Sequence, residues 1–169
     1  MKKLFLALCL FSTPALAAPE DHSDRLLFLL NLIDQVPDVA QLAEAGVDPN
    51  GQALFLVAAD PSLPRYPRAR AAGLLGRYAN TQARGSLARL LAESNDLEVR
   101  VQAIAGLSFQ EGAAALPRLQ TLLGDQEPEL RAAAIRGLHR INTPSARRLL
   151  ERHRKVEPEV WVKATIPTP

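Results

Sequence analysis

The chain has 169 residues, with 20 Lys plus Arg against 18 Asp plus Glu, and its formal charge of +2 is due entirely to Lys2 and Lys3. Without those two lysines the balance is zero, which removes the general electrostatic argument for a nucleic-acid ligand. The single cysteine, Cys9, lies in the first apolar run, so the rest of the chain has no disulfide or thiol chemistry and must be stabilised by packing.

Met1 to Lys3 form a short positive head, Leu4 to Phe11 an unbroken apolar run, and Ser12-Thr13-Pro14 a turn leading to Ala15-Leu16-Ala17. This order is that of a secretory signal, residues 1–17, cleaved after Ala17. The apolar run is far shorter than the roughly 20 residues needed to span a bilayer, so no transmembrane segment is expected. Leu8 before Cys9 does not fit a lipoprotein signal. The expected location is periplasmic or secreted, and the released chain of 152 residues is long enough for one domain.

Residues 18–64 read as a degenerate helical cap. Leu26, Leu29, Leu30 and Ile33 make one helical stripe, Val36 to Ala45 a short second helix, Gly46 to Gly51 a turn, and Gln52 to Ala59 a third helix. The stretch Asp60 to Pro67, with three prolines, breaks that pattern.

Repetition begins beyond it. Pro67-Arg68-Ala69-Arg70-Ala71-Ala72-Gly73-Leu74-Leu75, Val99-Arg100-Val101-Gln102-Ala103-Ile104-Ala105-Gly106-Leu107 and Leu130-Arg131-Ala132-Ala133-Ala134-Ile135-Arg136-Gly137-Leu138 align without gaps, their arginines 32 and 31 residues apart. Each is followed by a second apolar stripe: Leu87, Leu90 and Leu91; then Leu116, Leu119, Leu122 and Leu123; then Leu149 and Leu150. Spacings of three and four place each set on one helix face, so each repeat is a helical hairpin. Gly124 and Asp125, Thr143-Pro144, and Glu157-Pro158 mark helix ends and starts. A truncated copy runs from Val160 to Ala164, the repeats fill 65–165, and residues 166–169 are expected to form a flexible tail.

The run from Ala115 to Asp125, followed by Glu127 to Ala134, resembles the HEAT repeat, in the short form also seen in phycobilisome-lyase-type repeat proteins. The resemblance implies an all-α fold, a right-handed α-solenoid of about four stacked hairpins. It also implies a ladder between neighbouring repeats, made by a turn aspartate and an arginine six residues later. Asp125 and Arg131 match that spacing, whereas Ser62, Ser94 and Lys155 occupy the acidic position in the other units. The resemblance therefore carries one rung and leaves the remaining arginines to pair elsewhere.

Charge is segregated. From Glu20 to Asp60 there are eight acids and one base, Arg25, and from Pro61 to Ala92 six arginines and no acid. In HEAT-like stacks the second helices usually line the concave face, and here those helices carry Arg84, Arg89, Arg118, Arg147, Arg148 and Arg152. These six are the candidate partner-binding surface, suited to an acidic partner; the competing reading is a solvated face. Trp161, the only tryptophan, is expected to close the end of the core beside Val160 and Val162. His22, His139 and His153 lack ligand spacing, and Asp48-Pro49-Asn50-Gly51 lacks the alternating acids of a calcium loop. No catalytic or phosphate-binding motif occurs, so neither cofactor nor metal is expected.

The sequence thus points to a non-enzymatic interaction or scaffold module, monomeric, binding a protein or an anionic macromolecule in the cell envelope. One alternative is a bilin-lyase-like enzyme or chaperone built on the same repeats. The other is a HEAT-like nucleic-acid-binding or base-excising protein, disfavoured by zero net charge and few aromatic residues.

Overall fold

The computed structural model describes residues 22–167. The expected export signal, with Cys9, lies outside the described residues.

Ten α-helices follow one another: α1 His22–Asn31, α2 Val39–Glu44, α3 Gln52–Ala59, α4 Arg65–Leu75, α5 Thr81–Glu93, α6 Leu97–Glu111, α7 Leu116–Leu122, α8 Pro128–Ile141, α9 Pro144–Arg154 and α10 Val160–Ala164. A 3-10 turn, Gly112–Ala115, joins α6 to α7. There is no strand among the described residues. Three hairpins, α4–α5, α6–α7 and α8–α9, form the stack. The cap α1–α3 sits before them and the single short helix α10 after. The expected α-solenoid is the fold observed.

Local chemistry sets the boundaries. Asn80 accepts a hydrogen bond from the Ala83 N–H at the start of α5, and Thr143 does the same for Ala146 at the start of α9. Asp38 and Gln41 form a reciprocal capping box on α2, which therefore starts at Val39 rather than Val36. α1 ends at Asn31, so Ile33 leaves the expected stripe and is exposed, while Leu26 and Leu30 are buried.

The first helices of the hairpins pack directly on one another through small residues. A Cβ added to Gly76 on α4 would lie 2.7 Å from the Gly106 Cα on α6, and one added to Gly137 on α8 would lie 2.5 Å from the Ser108 Oγ on α6. Glycine here brings backbones together. The second helices fill the remaining core with Leu87, Leu90, Leu119, Leu122, Leu149 and Leu150.

The inter-repeat ladder is continuous, contrary to the single rung expected. Arg68 Nη1 lies 3.2 Å from Asp96 Oδ2, Arg100 Nη2 4.0 Å from Asp125 Oδ2, and Arg131 Nη2 2.8 Å from Glu157 Oε1. Each arginine reaches forward to an acid of the next unit, and the acids do not keep one offset from the arginine that follows them. They share a different role: Asp96, Asp125 and Glu157 each accept the backbone N–H two residues on, from Glu98, Glu127 and Glu159. Arg131 does meet Asp125, but through the backbone carbonyl, at 2.9 Å.

Two expectations at the carboxyl end are corrected. Trp161 is 47% exposed and fully buried Val162 closes the core instead, because the helix α10 turns only one of its five residues, Val162, towards the core. Ile166 is 3% exposed, and Arg154 donates to the carbonyls of Ile166 and Pro167, so the chain remains packed past the point where a free tail was expected to begin.

Candidate functional site

The six arginines singled out on the second helices do not gather in one groove. Arg89 donates to Glu93 at 3.5 Å and lies 5.0 Å from the Phe55 ring centroid, in a recess between α3 and α5. Arg118 pairs with Glu111 at 3.5 Å. Arg147 donates to the carbonyl and side-chain oxygens of Asn142, both at 3.0 Å, beside a separate recess. Arg148 and Arg152 do come together, in a shallow cleft with Leu116 and Gln120 between α7 and α9. Arg84 is exposed on α5.

A more extensive cavity than any of these lies on the other layer. A groove of about 860 Å³ crosses the faces of α4 and α6 and reaches Arg140 on α8. Its floor is formed by Ala69, Gly73, Leu74, Gly76, Ala105 and Gly106. The short side chains that allow the first helices to approach closely also leave this depression between the longer ones. Above the floor stand two exposed aromatic residues, Tyr66 at 47% and Phe109 at 64%. Four arginines line it, Arg65, Arg70, Arg77 and Arg140, against one carboxylate, Glu98.

Helix periodicity explains the grouping. Tyr66, Arg70, Gly73 and Arg77 recur at spacings of three and four along and just beyond α4, and Gln102, Gly106 and Phe109 do so along α6, on faces turned from the leucine core. Arg70 donates to the Tyr66 hydroxyl at 2.6 Å with its guanidinium 5.8 Å from that ring centroid. Arg70 also donates to the Gln35 carbonyl, and Arg77 donates to the Pro37 carbonyl at 2.8 Å. The α1–α2 connection, with Val36 at the groove wall, is thereby fastened along one end of the groove. Arg140 spans from α8 to the Ala105 carbonyl at 3.4 Å, and Arg65 rests 3.6 Å from Asp96 while remaining largely exposed.

Sequence reasoning noted these arginines as charge but placed its candidate surface on the second helices, whereas this groove lies on the first. The overlooked signal was the interleaving of Tyr66 and Phe109 with glycine on first-helix faces, where aromatic residues have no core to fill.

A second charged cluster is internal. Glu157 has no side-chain exposure, takes two hydrogen bonds from Arg131 and lies 2.6 Å from His153 Nε2. The Arg131 hydrogen bonds hold its carboxyl down at about 2 from the ordinary 4.5, against the opposing effect of burial, with smaller help from the Glu159 N–H and His153. This cluster locks α10 to α8. His139 is exposed, and no three His, Cys, Asp or Glu side chains among the described residues gather closely enough to hold a metal ion. No helix among the described residues is long and apolar enough to cross a membrane.

Stacked helical hairpins, clipped to one another by arginine–carboxylate rungs and carrying an open lateral groove, define a helical-repeat scaffold. Residues 90–166 match the family model for HEAT repeats. Residues 90–166 thus belong to the HEAT-repeat family, and such repeats serve in general as platforms for protein interaction and are generally non-enzymatic. No curated protein matches the chain.

Proposed function

We propose that this protein is a non-enzymatic, monomeric interaction module of the cell envelope that grips a protein partner in the groove across its first helices. The observation that carries the reading is the co-location of two exposed aromatic residues with four arginines over a floor of small residues. Aromatic residues and arginine are the types most enriched at the energetic centres of interfaces. The excess of arginine over carboxylate favours an acidic partner. The envelope location rests on the signal-like order of residues 1–17.

The second-helix arginines remain a competing surface, favoured by the cleft that joins Arg148 and Arg152. Site-specific photo-crosslinking separates the two. A photoreactive residue replacing Phe109 is expected to capture an envelope protein, and one replacing Arg148 is expected to capture none; the reverse pattern would move the interface to the second helices. Amino-terminal sequencing of the native protein is expected to start at Ala18.

A further inference from the structure

The groove already holds one ligand-like object, a piece of its own chain. Residues 34–38, Asp-Gln-Val-Pro-Asp, run without helical structure between α1 and α2. Val36 precedes a proline, which disfavours helical backbone there, and Asp38 has φ −81° and ψ 175°, so the segment is extended. Arg70 takes the carbonyl of residue 35 and Arg77 that of residue 37. In an extended chain, alternate groups face the same side, so two arginines on one side of α4 read alternate carbonyls while Val36 lines the groove. Its acid Asp38 caps α2, accepting from the Gln41 N–H at 2.8 Å, so the preference for carboxylates rests on the groove's own excess of arginine over Glu98.

That arrangement engages only one end. Beyond it the groove continues open past Phe109 to Arg140, whose one bond, to the Ala105 carbonyl, is long at 3.4 Å, and to Arg65, which rests 3.6 Å from Asp96 yet keeps its side chain 77% exposed.

From this we infer that the partner presents an extended, acidic–aliphatic segment with the chemistry of residues 34–38. It would lie along the open part of the groove with its carbonyls and carboxylates on arginine and its aliphatic side chains over Ala105 and Gly106. The inference rests on the groove being the partner site. A flexible polyanion such as polyphosphate fits less well: three of the four arginines already donate to carbonyl oxygens, and the floor between them offers carbon where a polyanion needs donors.

The test is fluorescence anisotropy of the purified protein with a labelled peptide, Glu-Val-Pro-Asp-Leu repeated twice. It is run beside one version with lysine for every acid, another with serine for every aliphatic residue, and polyphosphate as competitor. The parent peptide is expected to bind at least tenfold more tightly than either version. Arg140→Glu and Ala105→Trp are each expected to weaken it tenfold or more. Arg140 is exposed, so its variant keeps the fold even if the tryptophan does not. Equal binding of the lysine or serine version, or polyphosphate binding retained by Ala105→Trp with no peptide binding, overturns the inference. If no peptide binds but both variants still abolish crosslinking of the natural partner, the partner chemistry is wrong and the groove reading survives. If neither variant affects crosslinking, both fall.

Discussion

The two layers of helices are both rich in alanine, leucine and arginine but are held very differently. In the first layer, α4, α6 and α8 touch through glycine, carry the ladder arginines Arg68, Arg100 and Arg131, and shape the groove. In the second, α5, α7 and α9 contribute leucines inward and arginines outward, and Gly85 on α5 has nothing within 4 Å of where its Cβ would be. A similar hydrophobic period therefore hides an unequal distribution of constraint, and the concavity lies on the constrained side.

The comparison is broken most severely at the last rung. Glu157→Ala leaves Arg131 buried without a counterion and is expected to cost about 3–5 kcal/mol in urea-unfolding free energy. If the loss instead matched that of Asp125→Ala, whose partially exposed pair at 4.0 Å is expected to contribute about 1 kcal/mol or less, burial would not be what distinguishes the rungs. The same carboxyl gives a pH signature. Its folded-state value is depressed, so its stabilisation is fully present above about 4.5 and lost as pH falls towards about 2. Urea midpoints should decline over that window, and less so in Glu157→Gln.

Next in size is the glycine contact. Gly76, just past the end of α4, has backbone angles that alanine adopts freely, so Gly76→Ala gains up to about 1 kcal/mol through the lower entropy of the unfolded chain. It must also push backbone away from a Cβ only 2.7 Å from Gly106, so a net loss of about 1–3 kcal/mol is expected. Gly85→Ala, the matching change on the second layer, should raise the melting temperature, with a gain of about 0.5–1 kcal/mol. Equal signs for these two substitutions would erase the distinction between layers. The smallest expected effect is that of reversing Arg89, Arg118 and Arg148 together. Their pairs are exposed or local, so stability should shift by no more than about 1 kcal/mol and partner crosslinking from Phe109 should be unchanged.

The hairpins were legible because buried leucines recur at helical spacing and because Gly124, Asp125 and Thr143-Pro144 punctuate the helices at the chain level. The match of α3 to Gln52–Ala59 has the same cause, a turn at Gly51 with φ +74° followed by a solid apolar run. Fixed spacing failed at the ladder, since loop length varies between units while the acid's bond to the N–H two residues on does not. The groove escaped notice because a depression is made by what is missing. Gly73 and Gly106 look like repeat-core residues in a linear string, and only packing reveals that they floor a cavity beside Arg70 and Phe109. The fastening of residues 35 and 37 by Arg70 and Arg77 spans 35 and 40 positions in the chain and has no local signature.

The forward reach of the rungs gives the stack a direction. Asp60, at the leading edge, has its carboxylate satisfied by the Ser62 hydroxyl and N–H without needing an arginine from an earlier unit. At the trailing edge, Arg131 depends on an acid downstream of its own hairpin. Repeats could therefore be shed from the front with the new first acid still cared for locally, whereas shortening from the rear always strands a cation. Glu157, in the loop just ahead of the brief α10, is the counterion that leaves the last rung neutral.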